Sequence, residues 1–269
     1  MTFNQTAKIT LGILLALSTG NASAFTISGS GNSDLKGWQV KELTFKMNLA
    51  SCAGLSQAVM EQAVTDAFDA WNHVSNSSLT LTYGGTTTTT VAAATAGTAT
   101  DYPVIICDPN FNTTTGNAGD NGVTGVGTFA TNAANEITKG YLLLNADTTT
   151  SPTNNISTGS TSSLSLLIAH EVGHVLGFGH SSDPFALMYY QYTPARKLAL
   201  AQDDADALAY LYPRSEPSSG ILGCGTLATP PTGGPWTGIG LSLFWYLLVP
   251  ALVLRASRRF IPRYSNAHP

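Results

Sequence analysis

The chain has 269 residues, of which 10% are charged, and a formal net charge of −4. So sparse and slightly acidic a charge offers no basic face, which excludes an electrostatically driven nucleic-acid binder. The three cysteines show no C-x-x-C spacing, which argues against thiolates as zinc ligands.

In chain order, Lys8 precedes an apolar run from Ile9 to Leu17, and small residues end in Ala22-Ser23-Ala24. These are the marks of a secretory signal peptide over 1–24, cleaved after Ala24 to leave Phe25 first; an uncleaved anchor is the alternative. Residues 25–213 suit one domain. Trp38–Leu49, with Val40, Leu43, Phe45 and Met47, reads as a strand. Leu55, Val59, Ala63, Ala67, Phe68, Trp71 and Val74 recur at helical steps, with Ser56 as N-cap. Leu79–Tyr83 alternates as a strand, whereas the run Thr86–Thr90 fits a loop or an edge strand. Val104–Cys107 is β-branched and strand-like, and 108–122 reads as a polar loop. Val126–Thr131 and Tyr141–Asn145 are further strands, 146–162 a loop, and Leu164 starts a helix. Leu198–Tyr212 forms a last helix, ended by Pro213. This order predicts an α+β domain with a twisted mixed sheet. Cys52 and Cys107 are expected to bridge, since an exported chain meets an oxidising compartment.

Residues 214–236 are rich in Pro, Gly and Ser and read as a linker. The uncharged run 237–254 has about the length of a membrane span and is followed by Arg255, Arg258, Arg259 and Arg263. A transmembrane helix is therefore expected there, with 255–269 as a short cytoplasmic tail and the domain outside. Cys224, between Gly223 and Gly225, is left over for processing, modification such as lipid attachment, or pairing with another chain.

The chemistry concentrates in His170-Glu171-Val172-Gly173-His174-Val175-Leu176-Gly177-Phe178-Gly179-His180. Residues i and i+4 share a helix face, so His170 and His174 can present two imidazoles to one ion. Gly177 suits the left-handed residue that ends a helix, which lets the chain turn back and bring His180 to the metal. Three neutral imidazoles leave a fourth position for water in a tetrahedral zinc site. Glu171 stands beside the metal without ligating it, as a general base must. Three of the chain's five histidines fall in this segment, a clustering that scattered core or surface histidines do not explain. His73 and His268 read as solvated bystanders.

This segment resembles that of the metzincins, and within them the matrixins. Ser181 follows the third histidine, Ala186-Leu187-Met188-Tyr189 resembles the Met-turn, and Ala67–Trp71, Asp203-Asp204 and Leu211-Tyr212 are similar to matrixin segments. The resemblance implies the metzincin fold, zinc-dependent endopeptidase activity on protein or peptide, and Met188 beneath the ligands. The Asp203-Asp204 pair, which acid/base catalysis would also suit, reads as buried hydrogen bonding to the Met-turn. Tyr190 stands where astacins and serralysins carry a metal-facing tyrosine, so it is a candidate oxyanion stabiliser, with ordinary packing as the alternative. A Pro-Arg-Cys-Gly latency segment and the histidines of the second, structural zinc site are missing. Calcium at the Asp/Asn loops is left open. The tail resembles bacterial envelope-sorting signals, which implies export to the cell envelope, the surface or the medium. A non-enzymatic adhesion module retaining a zinc site is the chief alternative, and a zinc hydrolase of non-peptide substrates the second.

Overall fold

The computed structural model describes residues 25–28, 34–97, 102–116, 122–149, 155–191 and 197–215. All of them belong to one compact unit. The signal peptide 1–24, the linker from 216 onward, the span 237–254 and Cys224 lie outside the described residues. Among the described residues, no helix is long and apolar enough to cross a membrane.

Five strands form one sheet: β1 (Glu42–Asn48), β2 (Thr80–Thr86), β3 (Val104–Asp108), β4 (Gly125–Thr131) and β5 (Ile137–Asn145). Their spatial order is β2-β1-β3-β5-β4, with β4 antiparallel to β5 and the other pairs parallel. The sheet is mixed and the class α+β, as expected. Every residue of β3 is buried, which its β-branched content anticipates for a central strand covered on both faces.

Two long helices cover the sheet. Helix α1 (Gln57–Asn72) starts at Ser56, whose hydroxyl accepts from the Val59 amide, and buries Met60, Ala63, Val64, Ala67, Phe68 and Trp71. The Trp71 indole donates to the carbonyl of Ala169 on the second long helix, tying the two together at 3.0 Å. A buried indole must find such a partner, because leaving its N–H unpaired would forfeit a hydrogen bond.

Several boundaries differ from expectation. The first strand begins at Glu42 rather than Trp38, and Val40 is 47% exposed instead of inward-facing. Trp38 makes an isolated bridge to Ile137, and its indole donates to Val175 O. The threonine run divides: Thr86 closes β2, while Thr90 caps the short helix α2 (Val91–Thr95) by accepting from Ala93. The loop 108–122 holds one helical turn, α3 (Phe111–Thr115), pinned by the fully buried Phe111. A 3-10 turn at Ile156–Thr158 interrupts the next loop. Helix α4 spans Thr161–Val175, three residues earlier than Leu164, because Ser160 caps it through Ser163. The last helix, α5, is Gln202–Leu211.

The expected disulfide is present: Cys52 and Cys107 are bonded, linking the loop after β1 to β3. Their positions follow from the fold, since β1 and β3 are adjacent parallel strands with chain ends on the same side.

Candidate metal centre

Helix α4 is buried over most of its length, including His170 and Glu171. It ends in a Schellman arrangement: Gly177 takes φ +107°, its amide donates to His174 O, and the Phe178 amide donates to Gly173 O. A side chain at Gly177 would also crowd a Leu35 methyl, but it is the positive φ that calls for glycine. The reversal brings His180 back over the helix. The metal-binding atoms of His170, His174 and His180 lie within 4.8 Å of one another.

Two of the rings are oriented by backbone carbonyls. His170 Nδ1 donates to Leu187 O at 2.8 Å, and His174 Nδ1 donates to Phe178 O at 2.8 Å. With the proton on Nδ1, each ring keeps its Nε2 lone pair for a metal. Desolvation lowers the pKa of His174, helped by His180 nearby and opposed by its bond to Phe178; desolvation also lowers that of His180. Neutral imidazole is the form that binds metal, so these shifts favour loading near neutral pH. Three convergent imidazoles with an open side are the donor set of an open zinc site, and the residues present fit that ion.

Glu171 lies beside the three rings, 6% exposed. The Gly127 amide on β4 donates to its Oε2 at 2.6 Å. Burial nevertheless raises its pKa from an ordinary 4.5 to about 7, with the Gly127 bond only partly opposing the rise. A carboxyl poised near 7 can both take and return a proton at neutral pH.

Met188 sits under the helix against Gly173, where an added Cβ would collide with its sulfur. The turn that carries it is held by Asp204: Oδ2 accepts from Leu187 N at 2.6 Å and Oδ1 from Met188 N at 2.9 Å. Asp203 accepts from the Ser181 hydroxyl at 2.5 Å. Both aspartates are buried acceptors, but only Asp204 holds the Met-turn segment; Asp203 bonds Ser181 instead, which differs from the expectation for the pair. Tyr190 lies at the mouth of the cleft, 60% exposed, with its ring 4.5 Å from that of Tyr189. His73 is exposed at the C-cap of α1 and is not one of the three clustered histidines.

The cleft has a volume of about 720 Å³ and runs between residues 122–127 and Tyr190-Gln191, with the histidines at its floor. Sequence reasoning missed its glycine wall. A Cβ at Gly127 would overlap the Glu171 carbonyl, and one at Gly125 would press on the Glu171 side chain. The signal was legible as Gly125-Val126-Gly127 within a strand, a pattern that marks close backbone approach. The carbonyls of Leu187 and Phe178 were missed as well, and nothing in residue type reveals a backbone acceptor.

Comparison with known proteins adds to this geometry. The family model of the matrixins (Peptidase_M10) matches residues 37–213. The chain is 33% identical over 184 residues to matrix metalloproteinase-18 of Xenopus laevis, covering 66% of this chain and 34% of that protein. It is 29% identical over 181 residues to neutrophil collagenase of Homo sapiens, covering 65% and 33%. Over 73 residues it is 44% identical to metalloendoproteinase 1 of Glycine max, covering 27% and 22%. The chain thus spans about a third or less of the length of these relatives.

Proposed function

The chain belongs to the matrixin family, and on that premise we propose that it is a zinc-dependent endopeptidase, with His170, His174 and His180 as metal ligands and Glu171 as general base. The observation that carries this reading is the convergence of three imidazoles beside a buried carboxyl whose Oε2 is fixed by Gly127.

Zinc held by the three histidines would supply Lewis acidity, acidifying a water and polarising a peptide carbonyl. Glu171 Oε1, which no donor meets among the described residues, accepts the proton of the attacking water. Oε2 stays on the Gly127 amide, so the carboxyl does not rotate away from the proton it has taken. Glu171 then returns that proton to the leaving amine. Tyr190, exposed at the mouth of the cleft, would donate to the developing oxyanion only with its side chain turned inward. An extended peptide suits the cleft, because β4 is an edge strand and β-addition places backbone against its free side.

The proposal extends to export. The disulfide fits an oxidising compartment. The leader at 1–24, the linker 214–236, the apolar run 237–254 and the arginines beyond it describe a domain delivered across a membrane and held there until release. Digestion of a peptide library by the exported domain, with and without a chelator, tests the activity. Cleavage that stops with chelator and returns with zinc supports it. Intact peptides under every condition would leave the adhesion reading instead.

A further inference from the structure

The three candidate ligands are not held alike. His170 and His174 each have a ring nitrogen on a backbone carbonyl. Among the described residues, no carbonyl or carboxylate holds the ring of His180, and this histidine is exposed, at the end of a turn rather than on a helix. Its position therefore depends on whatever fixes the backbone of 177–180.

That backbone is strapped by residues 25–28. Ser28 N donates to Gly177 O at 2.8 Å and Gly179 N to Thr26 O at 2.8 Å, forming an antiparallel bridge between Ile27 and Phe178. The Ser28 hydroxyl donates to Phe178 O at 3.2 Å, and the Thr26 hydroxyl donates to His180 O at 2.7 Å. The strap is itself anchored. Ile27 packs on the hydrophobic core, and the Phe25 ring lies 5.5 Å from that of Tyr210 on α5. Gly179 admits the strap, since a Cβ there would strike Thr26. Each of residues 177 to 180 thus has a backbone group bonded to a strap residue. On the far side, His180 is followed by Ser181, whose amide donates to Met188 O.

We propose that the segment Phe25–Ser28 is a positioning device for the third metal ligand, with Thr26 as its positioning residue. Thr26 belongs neither to the histidine cluster nor to the lining of the cleft; it fixes the carbonyl of His180 and thereby limits the excursions of the imidazole. The inference rests on the zinc reading above. It also separates two kinds of loss, because weakening the strap should loosen the metal without unfolding the domain.

The test uses the exported, zinc-loaded protein and follows zinc release to an excess of a chromogenic chelator. Thr26→Val removes the hydroxyl at constant shape, and Thr26→Ser retains it. One intramolecular hydrogen bond corresponds to a change of roughly 2- to 12-fold. Zinc should leave Thr26→Val faster by about that factor, while Thr26→Ser should match the parent protein. Ser28→Pro, which deletes the amide that bonds Gly177, should release zinc faster as well. The metal-free valine variant should stay folded and melt only about 1–6 °C below the serine variant, as one lost hydrogen bond implies, and the visible bands of the cobalt-substituted valine variant should broaden or shift. Equal release rates for valine, serine and parent proteins overturn the strap alone. A parent protein that takes up no zinc overturns the zinc reading, and the strap with it.

Discussion

The amide of Gly127 and the carboxyl of Glu171 meet at 2.6 Å across the boundary between the edge strand β4 and helix α4. The same residue pair is also in backbone contact, since a Cβ on Gly127 would overlap the Glu171 carbonyl. The strand therefore orients the proposed base and sets how close the helix can lie. Gly127→Ala should push β4 off α4, cost about 1–3 kcal/mol of stability, as overpacking does, and lower kcat/KM more than tenfold. A variant with both melting temperature and kcat/KM unchanged would show that neither contact matters.

A pH dependence follows from the burial of Glu171. Its pKa is raised from 4.5 to about 7, so protonation favours the folded metal-free protein. That contribution is fully present below 4.5 and is lost as pH rises through about 7. At one pKa unit per 1.36 kcal/mol, the loss is on the order of 3 kcal/mol. The metal-free Glu171→Gln variant lacks this titration and should gain stability over the parent protein as pH rises from 4.5 to 8. The difference between the two unfolding profiles isolates the group; a difference independent of pH would refute the assignment.

Asp204 is coupled to the metal centre at one remove. It accepts from the amides of Leu187, Met188 and Ala201, while the Leu187 carbonyl accepts from His170. Asp204→Ala strands three amides, each worth about 1–3 kcal/mol when buried without a partner, so the domain should lose roughly 3 kcal/mol or more. Loss of an outer partner of a ligand typically weakens metal binding about 10- to 100-fold. Chelator competition on protein that remains folded should show this; zinc affinity equal to the parent's would break the proposed link.

The segment proposed to bind zinc could be read in advance because its information is local. An i, i+4 pair on one helix face and a glycine past the helix end are properties of neighbouring residues, and the structure places His170, His174 and Gly177 as that periodicity implies. Ser56 as a cap was legible for the same reason. What escaped depends on contacts distant in sequence. Helix α3 is a single turn whose existence rests on burial of Phe111 against a separate small cluster. One miss was local: the three polar residues that open α4 look like loop until Ser160 is seen to cap them. Gly127 owes its identity to a residue 44 positions away.

The disulfide allows a separate check on stability. Cys52 and Cys107 are 55 residues apart in sequence. Closing a loop of that length contributes about 4 kcal/mol in the chain-entropy model. The Cys52→Ser, Cys107→Ser double variant should melt well below the parent protein, and an unchanged melting temperature would contradict that contribution.

The central claim is that Glu171 performs proton transfer and does not bind the metal. Glu171→Ala removes the base while leaving His170, His174 and His180 in place. The decisive measurement is zinc content and peptide cleavage on the same preparation of this variant. The account predicts one zinc per chain, as in the parent protein, and cleavage reduced by several orders of magnitude. Undiminished cleavage by the zinc-loaded variant would contradict it.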